Sequence, residues 1–427
     1  MVEKRIQNTA IDISPNENLE VEGVGEEIQL REPENTTKEV EVIQEEDGGV
    51  TLDYDPNQKQ SEGDYFANLA EFMSDDLLQK LSSDLQKNFE DDKNSRSDWE
   101  KTYKDGLDLL GFKYEERSKP FAGAAGVTHP LLAEAVTQFQ AQAYKELLPP
   151  GGPVRTEILG APTMETEQQA ERVKGFMNYQ ITTEMQEFDP ELDQMLFHLP
   201  LAGSAFKKVY YDSNLERAVS KFVPAEDLVV PYFITDLESC NRITHVVKMK
   251  HNDLRKNQVS GFYRDVDVSG GSVNTDEIKD KQDELSGVEQ VNFAEDEHNI
   301  LEMHVDLDLP GFEDMGANNQ KTGIMVPYIV TIDEDSGEVL SIYRNWNQGD
   351  PIRKKKEYFT HFKFLPGLGF YGFGLIHMLG GLSRTATAAL RQLVDAGTLS
   401  NLPAGFKARG LRIRDDDEAI SPGEWRD

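Results

Sequence analysis

The chain of 427 residues carries 78 acidic against 44 basic side chains, a formal charge of −34, and a single cysteine. That length supplies core for about two to four structural units, and the lone Cys240 excludes an intrachain disulfide framework and a cysteine-only metal site. So acidic a chain argues against tight gripping of nucleic acid, which needs clustered Lys and Arg. No apolar run approaches the ~18 residues that span a bilayer, and Met1 to Ala10 is too polar for a secretory signal.

Residues 1–62 read as an acidic, disordered tail. Their first sixty hold about three acids for each base and little hydrophobic periodicity, too little apolar surface to offset the entropy of ordering. Residues 63–203 read as helical. Phe66, Leu69, Phe72, Leu77, Leu78 and Leu81 recur at helix spacing, and a Ser/Asp-rich break follows near Asp91 to Ser97. A helical pattern then closes on Gly111. After a loop, a second helix opens at Thr128-His129-Pro130 with Leu132, Val136, Phe139, Ala143 and Leu147 on one face. Glu165 to Met185 and Asp189 to Leu199 continue the helical reading, with their Met and aromatic residues expected in the core.

From residue 204 to 369 the period changes to alternation. Phe206 to Tyr211 and Ala218 to Val223 flank a turn at Asp212-Ser213-Asn214. Leu301 to Leu309 places Leu301, Met303, Val305, Leu307 and Leu309 on one face and Glu302, His304, Asp306 and Asp308 on the other, expected to be solvated. Val326 to Ile332 and Val339 to Trp346 make a hairpin, and residues 265–297 an acidic surface insert with one short helix. Residues 370–400 form a helix dense in small residues, suited to close packing of identical copies, with Leu379, Leu382, Ala386, Ala389, Leu390 and Leu393 at spacings of three and four. Residues 401–427 begin a further region in which Phe406 to Arg414 reads as a basic strand.

The loop from Arg117 to Gly126, ahead of a helix, has the outline of a phosphate cradle. It lacks the Lys-Ser/Thr pair a nucleotide P-loop needs at the helix start, no strand precedes it, and Pro130 removes a donor. Its small residues fit a connection running close to a packed surface. Other chemistry is equally sparse. The Glu302, His304, Asp306, Asp308 face does not close a metal shell unaided. Asp333, Asp335 and Glu338 lack the sixth-position glycine and distant Glu of a calcium loop. Cys240 stands in a polar loop with no histidine beside it in sequence, and no Gly-x-Ser-x-Gly elbow occurs. His129 reads as a cap or packing residue, and Arg353 to Lys356 as a lysine-rich loop beside a buried strand. No catalytic, metal-binding or cofactor-binding residue is assigned.

The run W-E-K-T-Y-K-D-G-L through H-P-L-L-A-E-A-V to L-L-P-P-G-G-P (Trp99 to Pro153) resembles the wing region of podovirus-type portal proteins of tailed bacteriophages. The resemblance continues in F-K-K-V-Y-Y-D (Phe206 to Asp212), V-P-A-E-D-L-V-V-P (Val223 to Pro231), T-H-V-V-K-M-K-H-N-D-L (Thr244 to Leu254) and G-F-Y-G-F-G-L-I-H-M-L-G-G-L (Gly369 to Leu382). It implies an α+β portal fold: a wing with helical and β parts, one stem helix and the start of the clip, with the second stem helix, channel loop and crown or barrel absent from a C-terminally truncated chain.

It further implies a homo-oligomeric ring of about a dozen copies at one capsid vertex of the virion, assembled in the host bacterial cytoplasm. Such a ring meets the major capsid protein or scaffold, the terminase large subunit during packaging, and then a tail adaptor. Double-stranded DNA passes through it non-specifically, with no membrane and no cofactor, and the terminase rather than the portal hydrolyses ATP. By resemblance Lys407, Arg409, Arg412 and Arg414 fall at the clip, as contacts for terminase or adaptor, and the six stem residues named above pack the ring. Two other readings remain open: an acidic intracellular nucleic-acid-processing enzyme, and a head–tail adaptor or scaffold.

Overall fold

The computed structural model describes residues 65–212, 215–268, 277–288, 297–315 and 320–401, with four short strands outside them. The chain divides into two units, Met1–Lys59 and Gln60–Asp427. Within the first, β1 (Glu41–Gln44) and β2 (Val50–Asp53) pair antiparallel, in a stretch expected to lack structure. The remainder of the tail lies outside the described residues.

The second unit is α+β, with antiparallel sheets between helical layers. The continuous helix expected from Asp64 is interrupted. Leu69–Phe72 is a 3₁₀ turn, and α1 (Asp75–Ser95) starts only after Ser74. The interruption has a physical cause in Asn68, which is fully buried. Its side chain donates to the Leu340 carbonyl and accepts from the amides of Ala70 and Ile342. A strand edge that would otherwise be bare is thereby paired. Arg96 separates α1 from α2 (Ser97–Leu107), so the expected break is one residue wide.

Next come α3 (Leu131–Leu147), α4 (Met164–Tyr179) and α5 (Phe188–Ala202). Gly203 ends α5 at φ 87°. A Cβ there would lie 2.4 Å from the Gly372 carbonyl oxygen, so only glycine fits. Strands β3 (Ser204–Asp212) and β4 (Arg217–Pro224) form the expected hairpin. After them run β5 (Leu228–Val229), β6 (Arg242–Lys250), α6 (His251–Val259) and α7 (Glu277–Ser286). Then come β7 (Glu297–Leu307), β8 (Val326–Asp333), β9 (Val339–Arg344), β10 (Phe359–Lys363) and α8 (Leu375–Asn401). A last pair, β11 (Gly405–Phe406) and β12 (Trp425–Arg426), is parallel.

Apart from the β11–β12 pair, the strands of this unit form a sheet ordered β5-β6-β7-β8-β9 and a second ordered β10-β3-β4. Leu301, Met303 and Val305 on β7 pack against Leu78, Leu85 and Phe89 of α1. The opposite face of β7 is covered at Glu302 and His304, contrary to expectation, while Asp308 just past the strand is exposed as expected. Ile300 packs with Leu254 of α6, while Glu302 meets Lys208 of β3, and His304 lies edge-on to Phe359 of β10. The second sheet covers that face, and such cover depends on strands distant in sequence. The far side of the second sheet carries Ala205, Phe222 and Phe362, which pack on Leu192, Met195 and Leu196 of α5.

Two helices depart from their readings. The acidic insert holds α7, whose Ile278 is buried with Tyr103, Leu107 and Leu110 rather than lying on a surface loop. Ion pairs Lys104–Glu277, Lys281–Asp108 and Lys113–Glu284 flank it. Conversely α4 buries no residue, so its Met and aromatic side chains are not core.

Candidate assembly face on the long helix

With 27 residues, α8 is about 40 Å long. Its start is held by backbone. The turn before it runs against Gly203, the Gly372 amide donates to Ser204 Oγ at 2.8 Å, and the Gly374 amide donates to His377 Nδ1 at 3.1 Å. Ile376, Gly380, Ser383, Thr387 and Asp395 are the buried residues of the helix, spaced by four, three, four and eight along one face. Four of the five are polar or lack a side chain.

That face receives the glycine loop. The Ala125 amide donates to Asp395 Oδ1 at 2.7 Å, and the His129 amide to Thr387 Oγ1 at 3.0 Å. Arg391 Nε donates to the Val127 carbonyl at 2.7 Å, and Arg391 also reaches Thr128 Oγ1 and Glu115. Helix side chains therefore supply the hydrogen bonds that an irregular buried loop needs. The amide a phosphate would take is already occupied by a carboxylate, which agrees with the packing reading of the loop.

Gly126 passes so close to the incoming segment of the loop that a Cβ would lie 1.6 Å from the Glu115 carbonyl oxygen. Gly126→Ala should therefore lower stability by ~1–3 kcal/mol, the usual range for overpacking. Urea unfolding checks this; an unchanged midpoint would contradict the close approach.

The side of α8 away from the loop is apolar. Leu382 is 60% exposed and Leu393 73%, Ala389 is exposed, and Leu379, Ala386 and Leu390 are half-buried. These six share one stripe. A helix on a self-sufficient subunit does the reverse, facing its leucines inward. Burying one leucine is worth about 1.5–3 kcal/mol, so this stripe forgoes a large stabilisation unless something covers it. Exposed apolar patches of this kind mark contact surfaces. The sequence stripe was readable. The roles of Thr387, Arg391 and Asp395 were not foreseen, although their four-residue spacing on an otherwise apolar helix was a signal. Lys407, Arg409, Arg412 and Arg414 lie outside the described residues.

Other side-chain clusters resolve into structural roles. Lys208 Nζ lies 2.5 Å from Glu302, which also lies 2.8 Å from His304 Nε2. Burial pushes the Glu302 carboxyl up, but the Lys208 ammonium and His304 outweigh it and hold it well below the ordinary carboxylate value. Ser204 Oγ lies 3.1 Å from His361 Nε2, the spacing of a nucleophile and base. Yet Ser204 is 1% exposed, and its oxygen is pinned by the Gly372 amide, so no substrate reaches it.

His251, His298 and Asp333 form a line, 3.1 Å and 3.3 Å between neighbours, and Asp333 also caps the β8–β9 turn through Ser336. Cys240, expected in a polar loop, is buried. Burial pushes its thiol up to about 11, far from reactive. Lys355 of the basic loop donates to the Leu237 and Cys240 carbonyls. Among the described residues no group of three or more His, Cys, Asp or Glu is placed to hold a metal ion, and no helix is long and apolar enough to cross a membrane.

No protein-family model matches the chain, and no curated protein matches it.

Proposed function

We propose that this chain is a subunit of a phage portal, assembled as a ring at one capsid vertex. In that role it conducts DNA during packaging by the terminase and during ejection, and it is the seat of the tail. The observation that carries the reading is the reversed polarity of α8: its polar stripe is buried on the glycine loop, while Leu382 and Leu393 of its leucine stripe are exposed. A long helix with one face satisfied at home and another left apolar suits side-by-side packing of identical copies. The motifs that resemble portal wings lie in α2, α3, the glycine loop and β3 to β6, and they build the platform on which α8 is held. The acidity of the chain fits a conduit, since low affinity for phosphates lets a polyanion slide.

Electron micrographs test this directly. The protein should form rings with a central hole. Leu382→Lys combined with Leu393→Lys should abolish them without lowering the melting temperature, because both side chains are exposed in the subunit. Rings that survive both substitutions would remove α8 from the contact. A monomer that hydrolyses ATP would overturn the portal reading.

A further inference from the structure

The helix inside the acidic insert is held differently from its neighbours. α7 has ten residues, shorter than the ~12–15 below which an isolated helix is marginal in water, so it depends on its attachment. That attachment has little apolar content. Ile278 is the one buried residue of α7, seated with Tyr103, Leu107 and Leu110, and Leu285 is half-buried against the same cluster. By contrast α5 buries seven residues. The Gln282 amide adds a hydrogen bond to Glu226 at 2.8 Å.

The rest of the hold is ionic, and its signs alternate. Glu277 pairs with Lys104 at 2.6 Å, Lys281 with Asp108 at 2.8 Å and Glu284 with Lys113 at 2.8 Å. These positions of α7 are four and three apart, so they share one face, beside Ile278 and Leu285. Opposite them run the end of α2, the 3₁₀ turn Asp108–Leu110 and the loop that follows. A helix shifted or reversed on this surface would set like charges against each other, so the alternation selects one seating. The side chains are open to water, with Glu277 80% and Asp108 54% exposed, and pairs of that kind are screened by salt.

We propose that α7 is an ionic strap, which lifts from α2 as a unit while both sheets stay folded, held closed by the three alternating pairs and released by salt. Opening gives up one buried side chain and three screened pairs, and elements with so few buried contacts are those that open locally. It bares the α2 face formed by Tyr103, Leu107 and Leu110. That face adjoins the foot of α8, where a Cβ on Gly106 would lie 2.4 Å from Ile376 Cγ2. The ionic environment thereby reaches the long helix through α2. The strap is independent of the ring reading.

Hydrogen exchange on the whole chain tests it at about 0.1 M and about 1 M NaCl, between which the screening length falls from about 10 Å to about 3 Å. The amides of α7 should lose protection at least about ten-fold in the higher salt, while those of β7 and β8 change less than about two-fold. Lys104→Glu should open the helix already at the lower salt, and Lys104→Glu with Glu277→Lys should return most of the protection. Ile278→Asp should leave α7 unprotected at both salts with β7 and β8 still protected. Protection of α7 that matches β7 and ignores salt overturns the strap, as does its absence from the unaltered protein at the lower salt. A helix that stays closed in Lys104→Glu overturns the ionic hold. Loss of protection in β7 and β8 together with α7, in salt or in Ile278→Asp, also overturns the proposal, because α7 then opens only with the whole fold.

Discussion

Arg96→Met is expected to cost about 3–5 kcal/mol of stability, the range found when one partner of a buried charge pair is removed. Arg96 occupies the single residue between α1 and α2, and it is 6% exposed. Its guanidinium donates to the carbonyls of Ala225, Glu226 and Leu228, to the Tyr371 hydroxyl, and to Glu100 at 2.7 Å. One side chain therefore satisfies the backbone between β4 and β5 and ties it to the turn that leads into α8. Removing it takes the donor from the Ala225 and Glu226 carbonyls, each worth ~1–3 kcal/mol when left without one, while Leu228 keeps the Tyr371 hydroxyl; such losses do not add. Arg96→Lys should recover little, because an ammonium cannot reproduce the planar fork. Urea unfolding at neutral pH measures both. A loss below about 1 kcal/mol for Arg96→Met would show that water replaces the guanidinium, and the hub would then be dispensable.

Arg96 also illustrates which parts of this fold could be read from the residues alone. The two-residue alternation of β7 and the three-and-four spacing of α3 and α8 are local properties, and the strands and helices formed where they indicated. What covers each face is not local. Glu302 and His304 carry the signature of a solvated strand face, yet β3 and β10 close over them. The closure is tolerated because Lys208 arrives from about 94 residues away to neutralise the carboxylate. The same limit applied to α4, whose apolar side chains resembled core and proved bare. For the candidate site, the leucine stripe of α8 was visible as a pattern. Its exposure was not, because exposure depends on the glycine loop choosing the polar face instead. The hydrogen bonds from Ala125 and His129 decide that choice, and they join residues about 270 and 258 positions apart.

Acidification from pH 7 to pH 5 should destabilise the protein steeply. His198, His245 and His361 are half-buried with their rings drawn into the protein, and this desolvation lowers them to about 4, about 3 and about 3 from an ordinary value of 6.5. His198 and His245 each leave a ring nitrogen without a hydrogen-bond partner, and the nearby charges of Asp227 and Glu302 only partly offset the burial. The sign follows from linkage. Below 6.5 the unfolded chain takes up three protons that the folded chain refuses, so stability falls as pH falls, until the folded values are reached. Near pH 5.5 the difference approaches three protons, a slope on the order of 4 kcal/mol per pH unit at ~1.4 kcal/mol per proton. Glu302 acts in a lower window. Its carboxyl is held below the ordinary 4.5, so its contribution is complete above that pH and is lost as pH falls through the folded value. Urea unfolding at pH 7, 6 and 5 gives the slope. His245→Leu should reduce it by about a third, since the ring lies against Phe359 in a site where a leucine leaves no polar atom unpaired. A slope below about 1 kcal/mol per pH unit would mean that these rings are protonated in the folded state, and that the interface between the two sheets admits water.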